Sequence, residues 1–117
     1  MTDITIWHNP RCSKSRISLA LLTEQGIEPT EVRYLETPPS KAEIERVLEL
    51  LEIAPIELMR RGEAAFKELQ LSSGSSDEQL VEAMASHPIL IERPVVYTDD
   101  KAVIGRPPEN VLELLNH

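Results

Sequence analysis

Ile4-Thr5-Ile6-Trp7-His8-Asn9-Pro10-Arg11-Cys12-Ser13-Lys14-Ser15-Arg16 is the stretch on which the fold turns. Ile4, Ile6 and His8 alternate with Thr5 and Trp7, the period of a short strand. Asn9-Pro10 breaks that strand. A helix is expected next, with Ile17, Ala20 and Leu21 on one face and Gly26 as its C-terminal stop. Cys12 therefore falls between a strand and the first helical turn, with only polar neighbours on either side. Glu31 to Leu35 then predicts a second strand, with Val32 and Tyr34 on one side. Two strands joined by a helical crossover of this length are most simply parallel.

Further along, Thr37-Pro38-Pro39 ends the second strand. Ser40 and Glu43 have capping-box spacing, and Ile44, Val47, Leu48 and Leu51 follow at helical intervals. Pro55 opens another helical piece running towards Met59 and Arg60, and Ala64 to Leu69 reads as a further turn or two. Ser72 to Ser76 is a surface loop. Ser76 and Gln79 repeat the capping-box spacing ahead of Leu80, Val81 and Met84. Strand character returns at Val95 to Thr98, a tight turn follows at Asp99-Asp100-Lys101, and Ala102-Val103-Ile104 makes the second arm of a hairpin closed by Gly105. Pro107-Pro108 opens a last helix with Val111, Leu112 and Leu115 facing inward. The order is βαβ, helical insert, ββα. With a cysteine just after the first strand, this is the arrangement of a thioredoxin-like α/β fold with a mixed sheet. The expected organisation is one domain over 1–117 with a helical insertion at about 40–86.

Composition narrows the function. The chain has 117 residues, 41% of them hydrophobic, which suits one soluble domain with one modest core. Trp7, Tyr34, Phe66 and Tyr97 are its only aromatic residues, so the core must be mainly Leu, Ile, Val and Ala. The net charge of −8 argues against general nucleic-acid or anionic-membrane binding, because no excess of cations can displace counterions from phosphates. Any anionic small substrate must be met by locally concentrated cations. No apolar run reaches the roughly 20 residues of a membrane span, and the first residues lack the pattern of a signal peptide. One cysteine makes neither an internal disulfide nor a multi-thiolate metal site, and it fits a reducing cytoplasm.

Cys12 is the candidate nucleophile. Unpaired backbone N–H groups at a helix start stabilise an anion, and neighbouring cations add to that, so the thiolate fraction rises. Ser15 stands three residues on, where a dithiol oxidoreductase would carry its second cysteine. Turnover must therefore use an external thiol, and the Ser15 hydroxyl is a candidate donor to the thiolate. His8, as an imidazolium, would help lower the Cys12 pKa. His87 and His117 have no comparable context. Three arginines stand out by position: Arg60 at the end of a helical piece, Arg93 before Pro94 at the third strand, and Arg106 after Gly105. Guanidinium groups bind tetrahedral oxyanions through paired hydrogen bonds, so a convergent set would hold one.

The chain resembles the ArsC-type, glutaredoxin-linked arsenate reductases from about Ile4 to Leu115. The matching stretches are His8 to Arg16, Tyr34 to Pro39, Leu58 to Arg61, His87 to Pro94 and Ile104 to Pro107. The resemblance implies that Cys12 attacks arsenate to form a thioarsenate ester, while Arg60, Arg93 and Arg106 hold the oxyanion. Glutathione displaces the adduct and glutaredoxin reduces the mixed disulfide, with no bound cofactor and no metal. It also implies a cis peptide before Pro94, facing the thiol. One departure is local. Arsenate reductases of this type resemble His-Asn-Pro-x-Cys-Gly-Thr-Ser, whereas this chain has Ser13-Lys14 after Cys12. Two alternatives stay open: a glutathione-linked thiol oxidoreductase acting on another substrate, and a non-enzymatic binding protein of the Spx kind, against which Ser15 argues because those usually carry C-x-x-C.

Overall fold

The computed structural model describes residues 3–115. The elements are β1 (Thr5–Trp7), α1 (Ser13–Glu24), β2 (Thr30–Val32), α2 (Lys41–Leu51), α3 (Ala64–Glu68), α4 (Asp77–Ser86), β3 (Val95–Tyr97) and β4 (Ala102–Ile104). Three 3₁₀ segments, Pro55–Leu58, Pro88–Leu90 and Pro108–Leu115, complete the described residues. Contacts divide it into two compact units, one made of the residues up to Thr37 with those from Arg93 onward, the other of Pro38–Glu92. Among the described residues no helix is long and apolar enough to cross a membrane.

The first unit holds a four-stranded sheet in the order β2-β1-β3-β4. β1 and β2 are parallel, as the helical crossover predicts, with Trp7 opposite Val32. β3 runs antiparallel to β1, with Trp7 opposite Val95, and β4 is antiparallel to β3 with Ile104 opposite Val95. The carboxyl ends of β1, β2 and β4 and the amino end of β3 therefore meet at one edge of the sheet. This is the thioredoxin-like order expected from the sequence.

The core of this unit joins Ile4, Ile6, Leu22, Val96, Val111 and Leu114, with Leu19, Leu21, Ile27 and Val103 packed partly against it. Ile6 and Val96 face this core as register partners, and Trp7 and Val95, the next pair, are buried too. Residues on both faces of the short sheet are thus buried, which explains why the β1 alternation is less clean than a half-exposed strand would give. The α1 inner face departs from expectation. Ile17 is 48% exposed and Ala20 is exposed, while Ser15, Ser18 and Leu22 form the buried stripe. Two small hydroxyl residues at i and i+3 let this helix lie close to its neighbours, a need that hydrophobic spacing does not reveal. β2 is shorter than expected and ends at Val32, so buried Tyr34 belongs to the following turn. The last helical segment is 3₁₀, with Val111 and Leu114 buried and Leu112 only half-buried. The Leu115 side chain and His117 lie outside the described residues.

In the helical unit, both capping boxes are present: Glu43 N–H donates to Ser40 Oγ at 3.1 Å and Gln79 N–H to Ser76 Oγ at 3.2 Å. α2 buries Ile44, Val47 and Leu48, and α4 buries Leu80, Val81, Ala83 and Met84. The two helices pack on each other, and α4 also packs on both neighbouring 3₁₀ segments. The unit runs past residue 86 because Met59 and Ile91 form an antiparallel bridge, with Arg60 N–H donating to the Leu90 carbonyl at 2.7 Å.

Candidate active site

The Asn9-Pro10-Arg11 turn brings the chain from the sheet edge into α1. Asn9 Oδ1 accepts from Arg11 N–H at 3.0 Å, and the Asn9 carbonyl accepts from Cys12 N–H at 3.0 Å. Side-chain bonding back to its own backbone is what fits Asn to such turns. Arg16 Nη1 donates to the Pro10 carbonyl at 2.9 Å and ties the turn to the helix. Cys12 is left at the N-cap of α1, with φ −94° and ψ 122°, half-buried and with a free thiol.

Cys12 forms no regular capping hydrogen bond, yet three donors face its sulfur: the N–H groups of Ser15 and Lys14 and the Arg93 guanidinium. Partial burial alone pushes the thiol up, and these donors outweigh it, so the Cys12 pKa lies below its ordinary value. Opposite charge and hydrogen bonding to the anion both act in that direction. Arg93 comes from the chain entering β3, and the Arg93–Pro94 peptide is cis. Its Nε is buried and has no hydrogen-bond partner among the described residues. The Arg106–Pro107 peptide is cis as well. Arg106, at the end of β4, sits exposed on the same sheet edge as Cys12 and Arg93.

Gly105 holds this edge together. Its N–H donates to the Pro94 carbonyl at 2.9 Å. A Cβ there would stand 2.5 Å from Ser18 Oγ and 2.7 Å from Pro94 Cγ. Helix α1, the turn before β3 and the end of β4 therefore touch at one point where only glycine fits.

His8 and Ser15 take up roles different from those expected. Ser15 is fully buried, and its Oγ lies 2.6 Å from His8 Nδ1 and accepts from Asn9 N–H at 3.0 Å. Its hydroxyl serves the turn; its backbone N–H serves the thiol. Burial lowers the His8 pKa, Glu31 opposes this, and Arg33 and Arg16 reinforce it. His8 is thus a neutral imidazole that braces Ser15, rather than an imidazolium beside the sulfur. The structure brings Cys12 and Arg93 together and sets Arg106 at their edge. Arg60 lies in the helical unit, where its Nη1 is 2.6 Å from Glu63 Oε1 and its Nε 3.6 Å from Glu92 Oε1. The helix-start amides expected at Cys12 are those of Lys14 and Ser15, whereas the Ser18–Gly105 contact has no signal in the side-chain pattern. Among the described residues no three His, Cys, Asp or Glu side chains are grouped to hold a metal ion.

The ArsC family model matches residues 7–114, which includes Cys12, Arg60, Arg93 and Arg106. The chain belongs to the ArsC family. This ArsC-family chain is 51% identical over 115 residues to the uncharacterized protein YfgD of Escherichia coli (strain K12), covering 97% of each. It is 44% identical to an arsenate reductase of Neisseria meningitidis serogroup A, covering 98% of this chain and 100% of the relative. In three dimensions it is similar to an arsenate reductase from Vibrio cholerae, with a TM-score of 0.90, 50% identity and coverage of 96% and 97% of the two chains.

Proposed function

We propose that this chain reduces arsenate to arsenite, with Cys12 as the nucleophile and with glutathione and glutaredoxin supplying the electrons in the cytoplasm. The observation that carries this is the setting of Cys12. A sole cysteine stands at a helix start, with two backbone N–H groups and a guanidinium favouring its thiolate. The thiolate attacks arsenic, and an arsenate hydroxyl takes a proton from solvent and leaves as water. A glutathione thiolate then attacks the Cys12 sulfur; the S–S bond of a mixed disulfide forms as the sulfur–arsenic bond breaks, and the electron pair of that bond stays on arsenic, which leaves as arsenite. Glutaredoxin reduces that disulfide and returns Cys12.

Arg93 serves twice in this scheme. Its guanidinium stabilises the thiolate, and its unpartnered Nε is a donor for an arsenate oxygen. Such fixed positive charge matters most where a thiolate meets an anion and charge accumulates. Arg106, on the same edge, supplies a second guanidinium. Arg60, the third arginine the family resemblance assigns to the oxyanion, is held by Glu63 and Glu92 in the helical unit.

The test is steady-state turnover with arsenate, glutathione and glutaredoxin. Saturable arsenite formation, abolished by Cys12→Ser and weakened in arsenate affinity by Arg93→Ala, is expected. Turnover that survives Cys12→Ser would overturn the assignment. Glutathionylation of Cys12 without any arsenate-dependent turnover would favour a thiol oxidoreductase acting on another substrate.

A further inference from the structure

The donor thiol and the oxyanion must be present at Cys12 together, so they cannot share one set of guanidiniums. The sheet order separates two flanks. Cys12 follows the inner strand β1; Arg93 and Arg106 lie on the β3–β4 side, and the turn after β2 lies on the other. On that second flank, at the carboxyl ends of the two parallel strands, is a cavity of about 240 Å³ lined by His8, Asn9, Pro10, Arg11, Arg33, Leu35 and Glu36. Crevices at the carboxyl ends of parallel strands are a usual place for ligands. Arg11 immediately precedes Cys12, so the two Cα atoms stand about 3.8 Å apart.

The cavity wall is mostly apolar, and the charged residues among those that line it form a pattern. Two exposed guanidiniums, Arg11 and Arg33, have no ion pair or side-chain hydrogen bond among the described residues, in contrast to Arg16, which is tied to Pro10. One exposed acidic residue, Glu36, also lines the cavity, and Pro10 and Leu35 supply apolar wall. A γ-glutamyl tripeptide thiol carries two carboxylates and one ammonium, the complement of this set. Bidentate guanidinium–carboxylate pairing gives both energy and orientation.

We infer that the Arg11–Arg33–Glu36 cavity is the subsite for the donor thiol, a dianionic, singly cationic tripeptide of the glutathione type. The inference rests on the external-thiol chemistry proposed above. The arginines take the two carboxylates, Glu36 takes the ammonium, and the cysteinyl arm reaches past Arg11 to the Cys12 sulfur.

The experiment omits arsenate, so failure of arsenate turnover leaves it readable. Reduced protein is mixed with glutathione disulfide, and Cys12 mixed-disulfide formation is timed by mass spectrometry. Cys12 thiolate attacks one sulfur of the disulfide; the new S–S bond forms as the old one breaks, and the leaving glutathione thiolate carries away the electron pair. Cys12 is oxidised and one glutathione is reduced. Uncharged hydroxyethyl disulfide and the dianionic aromatic dithiobis(nitrobenzoate) are run in parallel. Arg33→Ala should lower the rate with glutathione disulfide, relative to hydroxyethyl disulfide, by about tenfold, the scale of one charge-assisted pairing. An unchanged ratio overturns the subsite, as does an equal loss with the aromatic dianion, which would mean simple charge attraction. Glu36→Gln is the sharper arm. Removing a negative charge should speed any anion, but here it should slow glutathione disulfide severalfold while sparing or speeding the aromatic dianion. A faster reaction with glutathione disulfide in Glu36→Gln overturns the subsite.

Discussion

Adding one methyl group at Gly105 should disturb both the stability of the chain and the reactivity of a sulfur it does not touch. Gly105 has no left-handed φ, so Ala is not opposed by the local backbone. On that ground alone it should stabilise by about 0.4–1 kcal/mol through the unfolded chain. Packing decides otherwise. The new Cβ would lie 2.5 Å from Ser18 Oγ and 2.7 Å from Pro94 Cγ, distances that real side chains do not adopt. The backbone cannot simply retreat, because Gly105 N–H is bonded to the Pro94 carbonyl at 2.9 Å. Overpacking of this kind costs about 1–3 kcal/mol, so Gly105→Ala should be less stable by about 1–2 kcal/mol. In urea the midpoint should fall by about 1 M for a slope near 1.5 kcal/mol/M. Pro94 must give way, and it carries Arg93 with it, so iodoacetamide alkylation of Cys12 at neutral pH should slow severalfold. Ser18→Ala removes the nearer clash and an unpartnered buried hydroxyl. In the double variant it should therefore recover part of the lost stability, as a coupling of about 1 kcal/mol between touching sites. A Gly105→Ala protein as stable as wild type, with unchanged Cys12 alkylation, would refute the reasoning.

Two other expectations follow from the same edge. Ser15→Ala should cost about 1–3 kcal/mol, because it strands the buried His8 ring and the Asn9 N–H, while the pH midpoint of Cys12 alkylation should stay below that of a free thiol, near 8.5, because the Ser15 contribution comes from its backbone; a midpoint restored to the free value in Ser15→Ala would contradict this. For His8 the folded pKa is depressed, so the unfolded chain binds the extra proton first. Its share of stability is fully present above about pH 6.5 and is lost as the pH falls through the folded value. Urea midpoints of wild type and His8→Asn should therefore converge as the pH drops below that window, and a constant gap would count against the neutral imidazole.

Much of the frame was legible because its signals are local. The two Ser-x-x-Glu/Gln boxes, the Asn9-Pro10 break and the Asp99-Asp100 turn are each dictated by a few neighbouring residues, and the parallel pairing of the first two strands by the crossover that joins them. The inner face of α1 was not legible. Hydrophobic spacing selects Ile17, Ala20 and Leu21, but the helix turns inward Ser18, which lies against Gly105, and Ser15, which bonds His8 and Asn9. Position in the sequence marks Cys12 and Arg93, and a helix start foretells free amides at the thiolate, but only the fold shows that they are those of Lys14 and Ser15. The roles of His8 and Ser15 exchanged partners for a related reason. A residue type announces what it can bond, and only the fold decides which neighbour is within reach.

The orientation of Ser15 has an evolutionary consequence. A single base change could place a second cysteine there and create the C-x-x-C spacing of a self-contained dithiol. Yet the side chain at that position is fully buried and directed at His8 and the Asn9 amide. A thiol installed there would replace the hydroxyl that now bonds both of those groups. Acquiring an internal disulfide would require rebuilding the histidine brace as well, a path of several linked steps with a weakened intermediate. Any change at residue 15 therefore acts on the histidine brace and on the turn before α1 at the same time as on the chemistry beside Cys12.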